Sequence, residues 1–550
     1  MHARHFAAAA ALALCACAPL PRAPSVDVRL LAFNDFHGNL ETLPQGWSAP
    51  DPGDGKRRPV AAGGAATLGA AIVELARDRP HVIVVGAGDM IGASPLASSL
   101  LRDEPTVRAL EALGLELTSV GNHEFDRGRD ELLRLQNGGC HPEGCADGEY
   151  RGAQFQWLAA NVFDSASGRT LLPAYSIAEF DGIRVAFVGA VLRGTPMIVD
   201  RAGIAGLEFR DEAASVNALV PGLKRQGIEA IVLLIHEGGR PQGASDPDGC
   251  PGFGGAIVDI VRRLDPAVDV VVSGHTHQAY VCRIGGRLVT SAHSYGRMLT
   301  AIDLKLDRAS GDVRAAAAKN HVVLPDRFGS NPAMEAMVAR YAALAAERSG
   351  RIAGRVHGEF TPVANRAGES NLGDLVADAH LAAGRRDGAQ FAITNPGGLR
   401  APLFSRNAQG SVTFGDLFQV QPFRNILVTM TLTGAQVLQL LENQWRSEMG
   451  DRVRMLQVSE GFEYAWDGSR PRGGRVVPDS VRIEGKPLDP NADYRVTVNS
   501  FLANGGDGFA VFTEGRDRVV GMGDVEALEA HVRAVSPRAG PPAGRITRRR

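Results

Sequence analysis

Five aliphatic, β-branched runs in the first half of the chain each end in a residue that can hold a cation or a proton, and this recurrence limits the fold more than any other feature. Val28–Phe33 runs into Asn34-Asp35-Phe36-His37-Gly38, Val82–Val85 into Gly86-Ala87-Gly88-Asp89, and Leu117–Val120 into Gly121-Asn122-His123-Glu124. Ala230–Ile235 delivers His236, and Val268–Val272 delivers Ser273-Gly274-His275-Thr276-His277. Arg184–Val188 is a sixth run of the same kind, and Thr67–Arg77, Asp211–Gln226 and Ala256–Leu264 carry apolar residues at helical spacing between the strands. Buried strands alternating with helices define a layered α/β domain from Val28 to about Leu306. Sheets of this type take ligands beyond the carboxyl ends of their strands, so loops distant in sequence can converge on one site.

Each ending has an ordinary explanation when taken alone. Asn-Asp and Gly-Asp form turns, and a single histidine after a strand is usually a hydrogen-bonding partner. Five such endings together are not ordinary. Asp35, His37, Asp89, Asn122, His236, His275 and His277 offer seven donors of mixed oxygen and nitrogen character, which suits Zn, Mn, Fe or Co better than Ca. Seven exceed the needs of one tetrahedral ion, and two divalent ions sharing a bridging carboxylate would use them all. Composition narrows the partners: 59 Lys+Arg against 61 Asp+Glu leave a net charge of −2, so no general basic field attracts a nucleic acid polymer.

The chain divides further. Arg4, the Ala/Leu run Phe6–Leu14 and Leu14-Cys15-Ala16-Cys17 form an export signal over residues 1–16, too short for the roughly 18 residues of a membrane span. Leu-x-Ala-Cys resembles a bacterial lipoprotein cleavage site, which implies acylated Cys17 as a membrane anchor and 17–27, with Pro19, Pro21 and Pro24, as a stiff tether. Simple cleavage with secretion is the alternative. Either reading places the protein in the periplasm or cell envelope, where the remaining cysteines pair; local loop closure favours Cys140–Cys145 and Cys250–Cys282 among the three connectivities. The catalytic domain is expected over 28–328, and an amphipathic connector helix (Met334, Met337, Tyr341, Leu344) within 329–352. A second domain is expected over 353–536, and a solvated tail, with Pro541, Pro542 and Arg548 to Arg550, over 537–550.

The motifs NDFHG, GNHEFD and GHTH resemble those of the calcineurin-like metallophosphoesterases, and about residues 28 to 515 resemble the bacterial and animal 5′-nucleotidase family. The resemblance implies a four-layer α-β-β-α sandwich followed by a smaller α+β substrate-binding domain. It implies that Asp35, His37 and His277 hold one metal ion, Asn122, His236 and His275 the other, and that Asp89 bridges them. Two such cations acidify a bridging water and neutralise the phosphate it attacks. His123, paired with Asp126, would stay cationic and assist the departing oxygen.

In the second domain the segments around Asn365-Arg366, Asn395 to Arg400, Gln421-Pro422-Phe423 and Phe501 to Phe509 also resemble that family. Arg366 and Arg400 would fork onto phosphate, Phe423 and Phe501 would clamp the base, Asp507 would accept from ribose hydroxyls, and Asn395 would contact sugar or base. The resemblance also implies a domain rotation, with a hinge expected near Gly350 to Gly358. The expected activity is release of phosphate from nucleoside 5′-monophosphates. A 2′,3′-cyclic-nucleotide phosphodiesterase and a UDP-sugar pyrophosphatase are alternatives on the same scaffold. A nucleotide-binding surface lipoprotein without catalysis would lack a ligand or His123, and none is missing; a sulfur-oxidation hydrolase would lack the phenylalanine pair.

Overall fold

The computed structural model describes residues 23–549 apart from 51–55, 143, 146, 201, 244–245, 406, 446–452 and 541–542. The expected signal 1–16, Cys17 and most of the tether 17–27 lie outside the described residues. Among the described residues no helix is long and apolar enough to cross a membrane.

Two six-stranded sheets stand face to face. In the first, Ser25–Phe33, Val82–Ala87, Leu115–Ser119 and Gln156–Leu158 run parallel, with Met298–Asp307 and Val313–Val322 added antiparallel at one edge. In the second, Ile183–Val191, Ala230–His236, Val270–Ser273 and Arg287–Ala292 run parallel, flanked by antiparallel Tyr175–Phe180 and Ala279–Ile284. Side chains alternate between two cores. Val28, Leu30 and Ala32 meet Val232 and Leu234 between the sheets. Leu31 and Phe33 pack outward on helices Ala65–Ala76 and Glu104–Ala112, and Ile231, Leu233 and Ile235 on Glu212–Arg225 and Ala256–Arg263. This is the expected α-β-β-α arrangement, and burial on both faces is why its strands read as unbroken apolar runs.

Register then aligns the strand ends. Phe33 lies opposite Gly86 and Ala87 opposite Ser119 in one sheet, and Ile235 opposite Ser273 in the other. The loops that follow therefore leave the sandwich at one edge, with His236 itself the last residue of its strand. The disulfides are Cys140–Cys145 and Cys250–Cys282, the pairing favoured from loop closure.

Helix Pro332–Ser349, capped by the Asn331 side chain, leads to the second domain. Its five-stranded sheet runs in the order Gln457–Val458, Phe391–Thr394, Asp493–Asn499, Ile426–Thr433, Arg516–Gly523. The expectation of a solvated tail over 537–550 is corrected here. Arg538–Ala539 pairs with Val356 and His357, and Ile546–Arg548 runs parallel to Tyr464–Trp466 with Ile546 buried. Between them the Arg545 guanidinium forks onto Asp378 at 2.7 and 2.9 Å, while the Gly544 and Arg545 amides donate to Glu369. Charge at a terminus suggests solvent, but here it answers buried acids more than 160 residues away in the chain, which no local pattern reveals. Arg545→Met should lower unfolding free energy by about 3 kcal/mol in urea titrations, because it leaves Asp378 uncompensated.

Candidate dinuclear metal centre and substrate cleft

The strand-end loops converge. Three sets of side chains, Asp35/His37/His277, His37/Asp89/His123 and Asp89/His236/His275, each bring their ligand atoms within 4.8 Å of one another. Asp89 Oδ2 lies 2.9 Å from His236 Nε2 and 3.6 Å from His37 Nε2, between the two halves of the cluster. His277 Nε2 is 3.2 Å from Asp35 Oδ1, and Asn122 Oδ1 is 3.1 Å from His275 Nδ1. All seven expected ligands are thus gathered at one edge of the sandwich.

Local backbone explains how they turn inward. Asp35, His37, Asp89, His275 and His277 all have left-handed φ, between 47° and 71°. Non-glycine residues adopt this conformation rarely, and clusters of it mark functional sites. Backbone amides lock the loops together: the Glu124 carboxylate accepts from Asp89 N at 2.9 Å and Met90 N at 2.8 Å, and Asp89 Oδ1 accepts from His123 N at 2.8 Å. The sequence offers no sign of Glu124's role, because its partners are main-chain groups.

The donors fit a pair of divalent cations. His37 Nδ1 is 2.9 Å from the Gly92 carbonyl and His236 Nδ1 is 2.7 Å from that of Ala87, which fixes both tautomers and leaves each Nε2 lone pair facing the cluster. His236 Nε2 is buried, with Asp89 Oδ2 2.9 Å away. A buried imidazole nitrogen aimed at a carboxylate, with its other nitrogen fixed on a carbonyl, is the chemistry of a ligand set. Without cations, burial works to lower the His236 pKa, but the Asp89 charge outweighs it and pushes it up to about 10. Asp89 is itself held well below the usual carboxylate range, since His236 and His123 overcome the opposing effect of burial.

His123 stands beside this cluster with its ring centroid 5.0 Å from that of His37. Its Nδ1 is 2.9 Å from both oxygens of Asp126. Burial opposes a charge on the ring, yet Asp126 and then Asp89 raise its pKa above the ordinary imidazole value.

One cleft of about 470 Å³ joins the centre to the second domain. Asn122, His123, Asp126 and His275 form one wall, and Asn395, Arg400, Phe423, Phe501 and Asp507 the other. The Phe423 ring stacks on His123 with centroids 5.5 Å apart at 17°, and the Arg400 guanidinium lies 5.7 Å from the Phe423 ring centre. Asn395 donates to Asp507 Oδ2 at 2.9 Å and accepts from Asn499 at 3.0 Å. Arg454 pairs with Asp507 Oδ1 and also lines the cleft. The Phe501 ring rests on Gly506, where a Cβ would meet it at 2.5 Å.

Arg366, expected on phosphate, is exposed and is not among the residues that line the cleft in this arrangement. Its turn is held by Asn365, whose Oδ1 accepts from Ala367 N at 2.8 Å and from Glu369 N at 3.2 Å. Arg454 and Asn499 are among the cleft residues that the sequence does not announce, as are Asp200, Arg240, Arg424 and Asn425. Arg454 follows a polar stretch with no motif, and Asn499 lies two residues before the recognisable Phe501.

Residues 28–279 match the calcineurin-like phosphoesterases and residues 350–514 the 5′-nucleotidase C-terminal domain. The chain is 32% identical over 517 residues to endonuclease YhcR of Bacillus subtilis (strain 168), covering 92% of this chain and 40% of that protein. It is 32% identical over 530 residues to cell wall protein Lmo0130 of Listeria monocytogenes, covering 89% of this chain and 65% of that one. It therefore spans less than two thirds of either relative. A 5′-nucleotidase precursor from Thermus thermophilus superposes with a TM-score of 0.77 at 28% identity, covering 95% of this chain and 99% of that one. Fold, site and matches define a class, the proteins with a calcineurin-like phosphoesterase domain whose strand ends gather a candidate divalent-cation cluster. Within it, the chain belongs to the 5′-nucleotidase family, in which that domain precedes a 5′-nucleotidase C-terminal domain.

Proposed function

We propose that this protein is an exported phosphohydrolase that releases phosphate from nucleoside 5′-monophosphates. The observation that carries the reading is the shared cleft: the cation cluster and a set of aromatic, amide and guanidinium groups suited to a nucleotide face each other across one space. Asp35, His37 and His277 would hold one divalent ion, Asn122, His236 and His275 the other, with Asp89 between them. Bound there, two such ions supply a nucleophile from water at neutral pH and neutralise phosphate charge.

The chain's own residues do the rest. Arg400 makes no ion pair among the described residues and faces the cluster, where its charge adds to burial in lowering the pKa of His37 and His277, so its fork is open to a phosphate oxygen. His123, kept protonated by Asp126, is placed to give its Nε2 proton to the leaving 5′-oxygen. Phe501 and Phe423 both line the cleft and would take a flat base between them. Asp507, with one oxygen on Asn395 and the other on Arg454, is held to accept from ribose hydroxyls. Export accords with two disulfides and with a relative named a cell wall protein; an anchor at Cys17 belongs to the same proposal.

The test is phosphate release from AMP, ATP, UDP-glucose and 2′,3′-cyclic nucleotides by protein stripped of metal and then restored with Mn, Co or Zn. AMP should be the best substrate and activity should return with metal. Failure on every substrate after restoration would sink the assignment; preference for the cyclic ester or the nucleotide sugar would replace it with one of those activities. Phe501→Ala should raise KM for AMP about tenfold with a smaller change in kcat, the worth of one base stack, in initial-rate measurements.

A further inference from the structure

The loop His293–Arg297, between strands Arg287–Ala292 and Met298–Asp307, has no part in the chemistry above, yet His293 (φ 61°), Tyr295 (62°) and Gly296 (66°) are left-handed. Strain of this kind persists where the surroundings hold it. Tyr295 N donates to the Asp35 carbonyl at 2.7 Å, and the Asn34 side chain donates to the His293 carbonyl at 2.8 Å. The Arg297 guanidinium, itself bonded to Ser294 Oγ at 2.6 Å, lies 4.9 Å from the Tyr295 ring centre. So fixed, the Tyr295 ring stands edge-on to His277, with centroids 5.3 Å apart at 78°, and to His37, 5.7 Å away at 65°.

The four histidines of the cluster are not held alike. His37 and His236 each have Nδ1 against a main-chain carbonyl, and His275 Nδ1 lies against Asn122. His277 meets the cluster only through Nε2, 3.2 Å from both Asp35 Oδ1 and His37 Nε2. Its Nδ1 has no hydrogen bond among the described residues, and its side chain is 25% exposed. A metal-binding imidazole normally owes its orientation to a bond at its second nitrogen. Here that bond is replaced by a ring.

We propose that Tyr295 is the positioning residue for His277, so that retention of the ion held by Asp35, His37 and His277 depends on an aromatic wall. The proposal rests on the two-cation reading of the site. Tyr295 does not line the cleft, so its effect on turnover would run through His277 and not through contact with substrate.

Metal content and binding isotherms of the full chain, loaded with Mn and dialysed against a dilute chelator, test it. Wild type should retain two ions per chain. Tyr295→Leu, which keeps apolar volume but removes the ring, should weaken one ion about tenfold and leave the other unchanged. Tyr295→Phe should behave as wild type, and Tyr295→Leu combined with His277→Ala should lose no more than His277→Ala alone. Cobalt-loaded protein should show the same pattern as loss of one of two visible absorption components. Should Tyr295→Leu fail to fold, Tyr295→Gly removes the ring while relieving the left-handed backbone and carries the same expectation. Two ions held at wild-type affinity in the Leu or Gly variant overturn the proposal alone. Equal weakening of both ions, or a loss in Tyr295→Phe as large as in Tyr295→Leu, also overturns it. A wild-type chain that binds no ions overturns both this proposal and the hydrolase reading.

Discussion

Replacing Asp89 by asparagine should cut phosphate release from AMP by about 10²–10³-fold, the worth of a single charge-stabilising contact in an active site. Asp89 is the residue on which both halves of the cluster depend. Its Oδ2 lies between His37 and His236, and its Oδ1 accepts the His123 amide, so one carboxylate sets the spacing of the cation pair and of the acid beside it. Asparagine preserves the volume and one oxygen, which keeps the fold, but it removes the negative charge that two cations would share. Metal analysis of the variant separates this account from a folding defect. The expected result is fewer ions per chain with the wild-type circular dichroism spectrum; full metal content with full activity would remove Asp89 from the centre of the mechanism.

The part of this site that could be read from sequence was the part carried by strand ends. Asp35, Asp89, His236 and His275 follow or close apolar runs, and parallel pairing with matched register brings such endings to one edge whatever the loops between them do. The α-β-β-α layering was legible for the same reason, since strands buried on both faces leave long aliphatic runs. Groups that act through main-chain partners left no trace: Glu124 gathers the amides of Asp89 and Met90, and a sequence does not display amides. Arg366 is the opposite case: whether a guanidinium in a recognisable segment faces the cleft depends on where its turn points, and here it is exposed outside the cleft lining. Arg545 was misjudged because its partners Asp378 and Glu369 precede it by more than a hundred and sixty residues. Tyr295 follows a strand as the ligands do, but it carries no metal-binding atom, and only the left-handed backbone and the nearness of two imidazoles distinguish it.

Replacing His123 by alanine should slow AMP hydrolysis about 10²–10⁴-fold, the usual worth of a positioned general acid. Magnitude alone does not identify the role, because His123 also adds positive charge near the phosphate and supports the Phe423 ring. The leaving group separates these possibilities. A ribose 5′-oxygen departs as a strong base and needs a proton, whereas p-nitrophenolate departs without one. If His123 delivers that proton, the alanine variant should lose far less on p-nitrophenyl phosphate than on AMP. Asp126→Asn, which leaves the imidazole in place but removes the carboxylate on its Nδ1, should fall between wild type and His123→Ala on AMP and track wild type on the aryl ester. Equal losses on both substrates would instead make His123 a fixed positive charge, with Asp126 serving to keep it so.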